Sequence, residues 1–109
     1  MLFNAVSVSS GGEHTCAVKS GGSAWCWGSN FDGELGDGTN TNRLVPTPVS
    51  GLGSGISTIS SGIDFYEDHG HTCVRKASGF VWCWGYNGDG RLGDGTTTQR
   101  LVPTGVIPD

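Results

Sequence analysis

Four cysteines carry the most distinctive chemistry in this 109-residue sequence. Their thiols can form disulfides, bind zinc or pack as small apolar side chains. Structural zinc sites usually include two ligands only a few residues apart, and no cysteine pair here has that spacing. Disulfides are the favoured interpretation, with reduced buried cysteines and a zinc site as alternatives. The residues concerned are Cys16, Cys26, Cys73 and Cys83.

Segment 63–70 concentrates carboxylates, aromatic rings and an imidazole. Loops on a rigid scaffold often carry recognition, and Tyr and Phe are common interface anchors. The segment therefore predicts a surface that binds another protein. An inert surface insertion and a carboxylate–imidazole metal site are the alternatives. The candidate residues are Asp64, Phe65, Tyr66, Glu67, Asp68 and His69.

Segments 30–38 and 87–95 resemble oxygen-rich calcium loops. They have too few acidic residues for an EF-hand loop and lack its bidentate Glu. Asn and Asp beside Gly also form ordinary turns. The sequence predicts no cofactor and no metal, with calcium as the weaker alternative. It also lacks hydrolase, nucleotide-binding and zinc-protease motifs, so we predict no catalytic residue and no enzyme.

The elements that must position these side chains are duplicated. Of the 36 positions in segment 14–49, 24 recur identically in segment 71–106, at an offset of 57. Upstream, segment 8–11 matches segment 59–62 at an offset of 51. The second copy therefore has about six extra residues within segment 63–70.

Each copy reads as short strands separated by turn residues, with no helical periodicity. The predicted fold class is all-β. In the first copy, Ser20–Gly22 is a three-residue hairpin loop, with Gly22 where a left-handed backbone is needed. Segment 77–79 repeats this loop.

The hairpin register predicts how the cysteines pair. Counting outward from the loop places Cys16 opposite Cys26, at a non-hydrogen-bonded site where Cα atoms lie about 4.5 Å apart. The same count places Cys73 opposite Cys83. Because disulfides persist in oxidising compartments, we expect an extracellular or periplasmic location. The first five residues do not form a signal peptide as they stand.

The repeated residues resemble one family. His-Thr-Cys-Ala-Val-Lys at 14–19, Trp-Cys-Trp-Gly at 25–28 and Leu-Gly-Asp-Gly-Thr at 35–39 look like the repeat of the regulator of chromosome condensation family, especially its bacterial forms. The resemblance covers residues 9–49 and 60–106. It implies a β-propeller in which each repeat makes about one four-stranded blade. It also implies action through protein–protein surfaces without a shared catalytic residue.

Two repeats cannot close the seven-bladed ring that is usual in this family. We divide the chain into repeats 1–50 and 51–109, and we expect three strands of one blade, then a full blade that opens at 45–49. An orphan strand at 102–107 would then complete the blade of another molecule by strand exchange. The result would be a head-to-tail ring or filament, unless the chain is part of a longer propeller. The exchanged residues would be Val102, Pro103, Thr104 and Val106.

Repeated Trp and His residues are expected in the core between blades. A ligand-stacking surface is the alternative for the Trp residues. The residues assigned to the core are Trp25, Trp27, Trp82, Trp84, His14 and His71.

The charge balance bears on the kind of partner. Six basic and ten acidic residues give a net charge of −4. Nucleic acids and anionic membranes require a basic face, so neither is expected as a partner. No apolar run approaches the length of a membrane span. A homo-oligomer is the primary expectation, with another protein as the alternative partner.

Overall fold

A computed structural model describes Leu2, residues 4–63 and residues 68–108. These residues form two four-stranded antiparallel sheets, in which each strand pairs with its neighbours in sequence. We call the sheets blade 1 and blade 2. Blade 1 contains β1 (Ala5–Ser10), β2 (His14–Lys19), β3 (Ala24–Gly28) and β4 (Arg43–Pro48). Blade 2 contains β5 (Ile56–Ile63), β6 (Gly70–Lys76), β7 (Val81–Gly85) and β8 (Arg100–Gly105).

The predicted all-β class is confirmed. Among the described residues there is no helix, and so none long and apolar enough to cross a membrane. The two central hairpins have the predicted register: Cys16 faces Cys26 and Cys73 faces Cys83. Each pair forms a disulfide with a Cα–Cα distance of 4.1 Å.

The predicted strand exchange is wrong. Residues 43–48 do not open the second blade, because β4 pairs with β3 through the register Cys26–Thr47. In the same way β8 pairs with β7 of its own chain, with Thr104 opposite Cys83. The four residues assigned to exchange lie in or directly after this strand: Val102, Pro103, Thr104 and Val106. Both blades therefore have four strands from the same chain.

The error lies in where the chain changes sheet. The long connection 29–42 turns back beside β3, and the shorter connection 49–55 crosses to blade 2. β4 and β8 are edge strands, which agrees with the Pro residues they contain.

The main core lies between the two sheets. In the crossing connection, Leu52 is buried, and the amide of Ile56 donates to the carbonyl oxygen of Gly22 at 3.0 Å. The core cluster combines side chains from both blades: Cys16, Val18, Ala24, Cys26, Leu35, Val49, Leu52, Ile56, Ile59, Val74 and Trp84.

Candidate functional site

Connection 29–42 is built around one buried amide, that of Asn30. Its Nδ2 donates to the carbonyl oxygens of Thr39 at 2.8 Å and Thr41 at 3.1 Å, and its Oδ1 accepts from the amide of Leu35. Asp37 accepts from Thr39 and from Arg43. These bonds assign the Asn and Asp side chains to shaping the loop, and Asn87 does the same in blade 2.

This loop forms the surface that joins the blades, which we call the seam. The carbonyl oxygen of Glu34 accepts hydrogen bonds from Thr72 Oγ1 at 2.7 Å and from Trp84 Nε1 at 2.8 Å. Gly36 lies against the Trp84 indole, since a Cβ built on it would be 2.6 Å from Nε1. Gly33 packs in the same way on Leu101. The seam thus combines directional hydrogen bonds with close backbone packing.

His14 extends the seam toward β2. Its Nε2 lies 2.9 Å from Thr72 Oγ1, whose own hydrogen is donated to Glu34. His14 must therefore be the donor, so the neutral ring carries its proton on Nε2. Burial, reinforced by the charge of His71, lowers the pKa of His14 to about 4.

The residues assigned to the core differ in burial. Trp84 and His14 are almost fully buried. The remaining four are half-buried: Trp25, Trp27, Trp82 and His71. The rings of Trp25 and Trp82 lie beneath the ammonium groups of Lys19 and Lys76.

A buried acidic pair meets the start of β6. Asp32 Oδ2 accepts from the amide of Gly70 at 3.0 Å, and Glu34 Oε1 accepts from the amide of Asp32 at 2.8 Å. A Cβ built on Gly70 would lie 2.5 Å from Glu34 Oε2, so this carboxyl group faces Gly70 directly. Burial raises the pKa of Glu34 to about 7.

The predicted protein-binding segment is described only at Ile63 and from Asp68 to Gly70. Asp64, Phe65, Tyr66 and Glu67 lie outside the described residues. Asp68 is exposed, with a φ of 60°. His69 stacks on Tyr86 with ring centroids 3.6 Å apart, and its Nδ1 is 3.3 Å from Asp32 Oδ1.

A cleft of about 340 Å³ lies beside His69. Phe31, which is 78% exposed, borders it. The cleft is lined by Glu13, Ser29, Phe31, Asn42, Asp68 and His69. Within the described part of the chain, no group of three His, Cys, Asp or Glu residues is arranged to hold a metal ion.

Sequence reasoning placed Asp32 and Glu34 only in a calcium-like loop, and it missed their role in the seam and the role of Tyr86. A usable signal was present, because the two copies differ in charge where Arg91 replaces Glu34 and differ in size where Tyr86 replaces Ser29. Departures from an internal repeat mark positions where the two blades meet different surroundings.

Comparison with known proteins agrees with this architecture. Models of the regulator of chromosome condensation (RCC1) repeat match residues 5–34 and, separately, residues 21–66 and 78–108. The chain belongs to the RCC1 repeat family. Its fold is also that of Prp20p from Saccharomyces cerevisiae, with a TM-score of 0.80 at 18% identity over 99% of this chain and 27% of that one. Prp20p is characterised by its binding to Gsp1p and histones.

Two plant proteins show the relationship at the level of sequence. The mitochondrial RCC1 domain-containing protein RUG3 of Arabidopsis thaliana is 37% identical over 92% of this chain. The ultraviolet-B receptor UVR8 of the same plant is 36% identical over 88% of it. The aligned part is 21% of each relative, so this RCC1 chain spans about a fifth of their length.

Proposed function

We propose that this chain is a non-catalytic protein-interaction module that associates head to tail through the outer faces of its two blades. The two blades are repeats, so each has the same two sides. We call the side by which blade 2 packs on blade 1 the leading face, and the equivalent side of blade 1 its leading face too. We call the side by which blade 1 packs on blade 2 the trailing face, and the equivalent side of blade 2 its trailing face too.

One observation carries the proposal. Leu44 on the leading face of blade 1 is 97% exposed, whereas its repeat equivalent Leu101 packs on Gly33 in the seam. Val8 is 62% exposed, whereas its equivalent Ile59 is 8% exposed. An apolar leading face on blade 1 is thus built for the same kind of contact that blade 2 makes.

The trailing face of blade 2 offers the matching half. Gly93 is exposed where its equivalent Gly36 is buried. An apolar cleft of about 350 Å³ lies on the same blade, near the position that corresponds to buried Ala24 and Val49. The lining residues are Gly79, Phe80, Val81, Val106, Ile107 and Pro108.

The family relationship supports an interaction role. Prp20p binds Gsp1p and histones, and it has also been crystallised with Kap60. Two hairpin disulfides support an oxidising, extracellular or periplasmic environment for the present chain.

The test is absolute mass by light scattering across a concentration series. We expect the wild type to form species of two or more chains, and Leu44→Asp to shift them to monomer by placing a charge in an apolar contact. Ser54→Asp is the control, because it places the same charge at an exposed position of the crossing connection 49–55, away from Leu44. A wild-type monomer at every concentration would refute head-to-tail association.

A second candidate function is binding of another protein by segment 63–70. The exposed Phe31 beside the His69 cleft favours it. Replacing residues 63–69 by one glycine, which keeps Gly70 against Glu34 and gives the connection the length it has in repeat 1, should abolish capture of a partner while leaving the mass distribution unchanged. Loss of association in that variant would instead place the segment in the head-to-tail contact.

A further inference from the structure

We infer that the partner on these faces is a second copy of this chain, recognised by an ion pair between Glu13 of one copy and Arg91 of the next. The inference rests on the proposed head-to-tail association and identifies its partner. Its basis is the seam inside the chain, which shows how a trailing face meets a leading face.

Two positions meet at the centre of the seam. On the trailing face of blade 1 this position holds Glu34, and on the leading face of blade 2 it holds Gly70, with a Cβ direction that points into the Glu34 carboxyl group. At the outer faces the repeat offset of 57 places Arg91 at the first position and Glu13 at the second. The seam therefore has a carboxylate (Glu34) facing a glycine (Gly70), whereas the contact between two copies would have a guanidinium (Arg91) facing a carboxylate (Glu13).

The backbone supports the same approach. In the seam the amide of Gly70 donates to Asp32 Oδ2. Asp89 is the equivalent of Asp32, so it can accept from the amide of Glu13 in the next copy. This bond uses only the backbone of the donor residue. A side chain at the donor position would collide with a group placed as Glu34 is, so Glu13 fits there because the Arg91 side chain lies on Asp89 and the Tyr86 ring instead.

Arg91 is already oriented on the outer surface of blade 2. Its Nη2 lies 2.8 Å from Asp89 Oδ2, and its guanidinium lies 4.7 Å from the centre of the Tyr86 ring. The guanidinium has five N–H donors and its side chain is 20% exposed, so it can donate to a carboxylate of the next copy alongside the contacts it already makes. Glu13 is exposed on the opposite outer surface.

The outer faces also carry equivalents of the other groups that form hydrogen bonds or close contacts in the seam. Thr15 and Trp27 are equivalent to the seam donors Thr72 and Trp84, and both are half-buried. They can donate to the carbonyl oxygen of Arg91 as their counterparts donate to that of Glu34. Gly90 likewise offers Leu44 the contact that Gly33 gives Leu101.

A compensating difference in side-chain size also favours contact between the trailing face of one copy and the leading face of the next. Arg75 stands on the trailing face where blade 1 has the buried Val18. In the seam Val18 shares a buried cluster with Ile56 and Ile59, and on the leading face of blade 1 the equivalents of these two residues are the smaller Ala5 and Val8. A longer side chain therefore meets smaller ones, which favours this chain's own leading face as the partner.

Charge reversal tests the pair. We expect Glu13→Arg and Arg91→Glu each to raise the dissociation constant of the assembly at least about tenfold, since each creates a like-charge contact. An equimolar mixture of the two variants should restore association to within about threefold of wild type. Where the two variants alternate, the introduced arginine meets the introduced glutamate, and the native Arg91 meets the native Glu13. Light scattering and sedimentation velocity provide both readouts.

Lys76→Glu is the control, because it reverses a charge of the same size over the Trp82 ring, on the side of blade 2 that already packs on blade 1, and it should leave association unchanged. Glu13→Gln and Arg91→Gln provide milder variants, in which the weakening of association by added salt should be reduced. Wild-type association that is indifferent to all four face variants would overturn the ion pair alone. A wild type that never associates would overturn the proposed function together with it.

Discussion

Trp84 Nε1 donates a 2.8 Å hydrogen bond to the carbonyl oxygen of Glu34, 50 residues earlier in the chain. The same oxygen accepts from Thr72 Oγ1. One backbone acceptor therefore fixes β6 and β7 of blade 2 against the loop of blade 1. The contact can form because Gly36 leaves space for the indole.

Removing this bond should lower stability. We expect Trp84→Phe to reduce the free energy of unfolding by about 1–3 kcal/mol, because it leaves a buried acceptor with one partner fewer and opens a gap. Denaturant titration at a concentration that keeps the chain monomeric measures the change.

Trp27→Phe is the matched comparison, since Trp27 is the half-buried equivalent in blade 1. Its cost in the monomer should be clearly smaller. Equal costs for the two variants would show that the seam bond contributes little to the stability of the chain.

The hairpins could be predicted from sequence because their loops are short. Ser20–Gly22 fixes the register locally, and Cys16–Cys26 pairing follows from counting residues. The position of β4 could not be predicted in this way. Its connection to β3 is long and is held by Asn30, whose partners were not recognisable from spacing alone.

The carboxyl group of Glu34 should make stability depend on pH. Its pKa is raised from 4.5 to about 7, so between these values the folded chain binds more protons than the unfolded chain. This group therefore lowers stability as pH rises from about 4.5 to 7. Glu34→Gln should remove that loss, and the variant should gain on wild type across this range by at most about 3 kcal/mol.

The imidazole of His14 gives the stability of the chain the opposite dependence on pH. Its pKa is lowered from 6.5 to about 4, so its contribution to stability is present above pH 6.5 and is lost on acidification toward pH 4. We expect a shallow pH profile for wild type and a steeper rise with pH for Glu34→Gln. Parallel profiles in denaturant titrations from pH 4.5 to 7.5 would contradict the assignment.

The two disulfides should differ in accessibility to reductant. Cys16 and Cys26 are fully buried in the core between the blades, whereas Cys73 is partly exposed. Thiol–disulfide exchange requires access to sulfur, so limited reduction should open Cys73–Cys83 first. Alkylation followed by peptide mass spectrometry identifies the bond that opens. Both bonds close loops of the same length, so removing either should cost a similar chain-entropy term, roughly 3 kcal/mol.

The seam was harder to predict than the hairpins for a physical reason. Its partners come from different repeats, and repetition shows which positions are equivalent but not which positions touch. Glu34 and Gly70 are unremarkable in their own segments and acquire their roles only when the sheets face each other.

In the part of the chain that the structure describes, strands pair only with strands next to them in sequence, and β4 and β5 are the neighbours that lie in different sheets. During synthesis, residues 5–48 can complete their sheet before β6 has been made, and local pairings form fastest. Cys16 therefore meets Cys26 when neither Cys73 nor Cys83 yet exists. The order of translation then selects the native pairing among the three that four cysteines allow, so oxidative folding of the nascent chain needs little reshuffling.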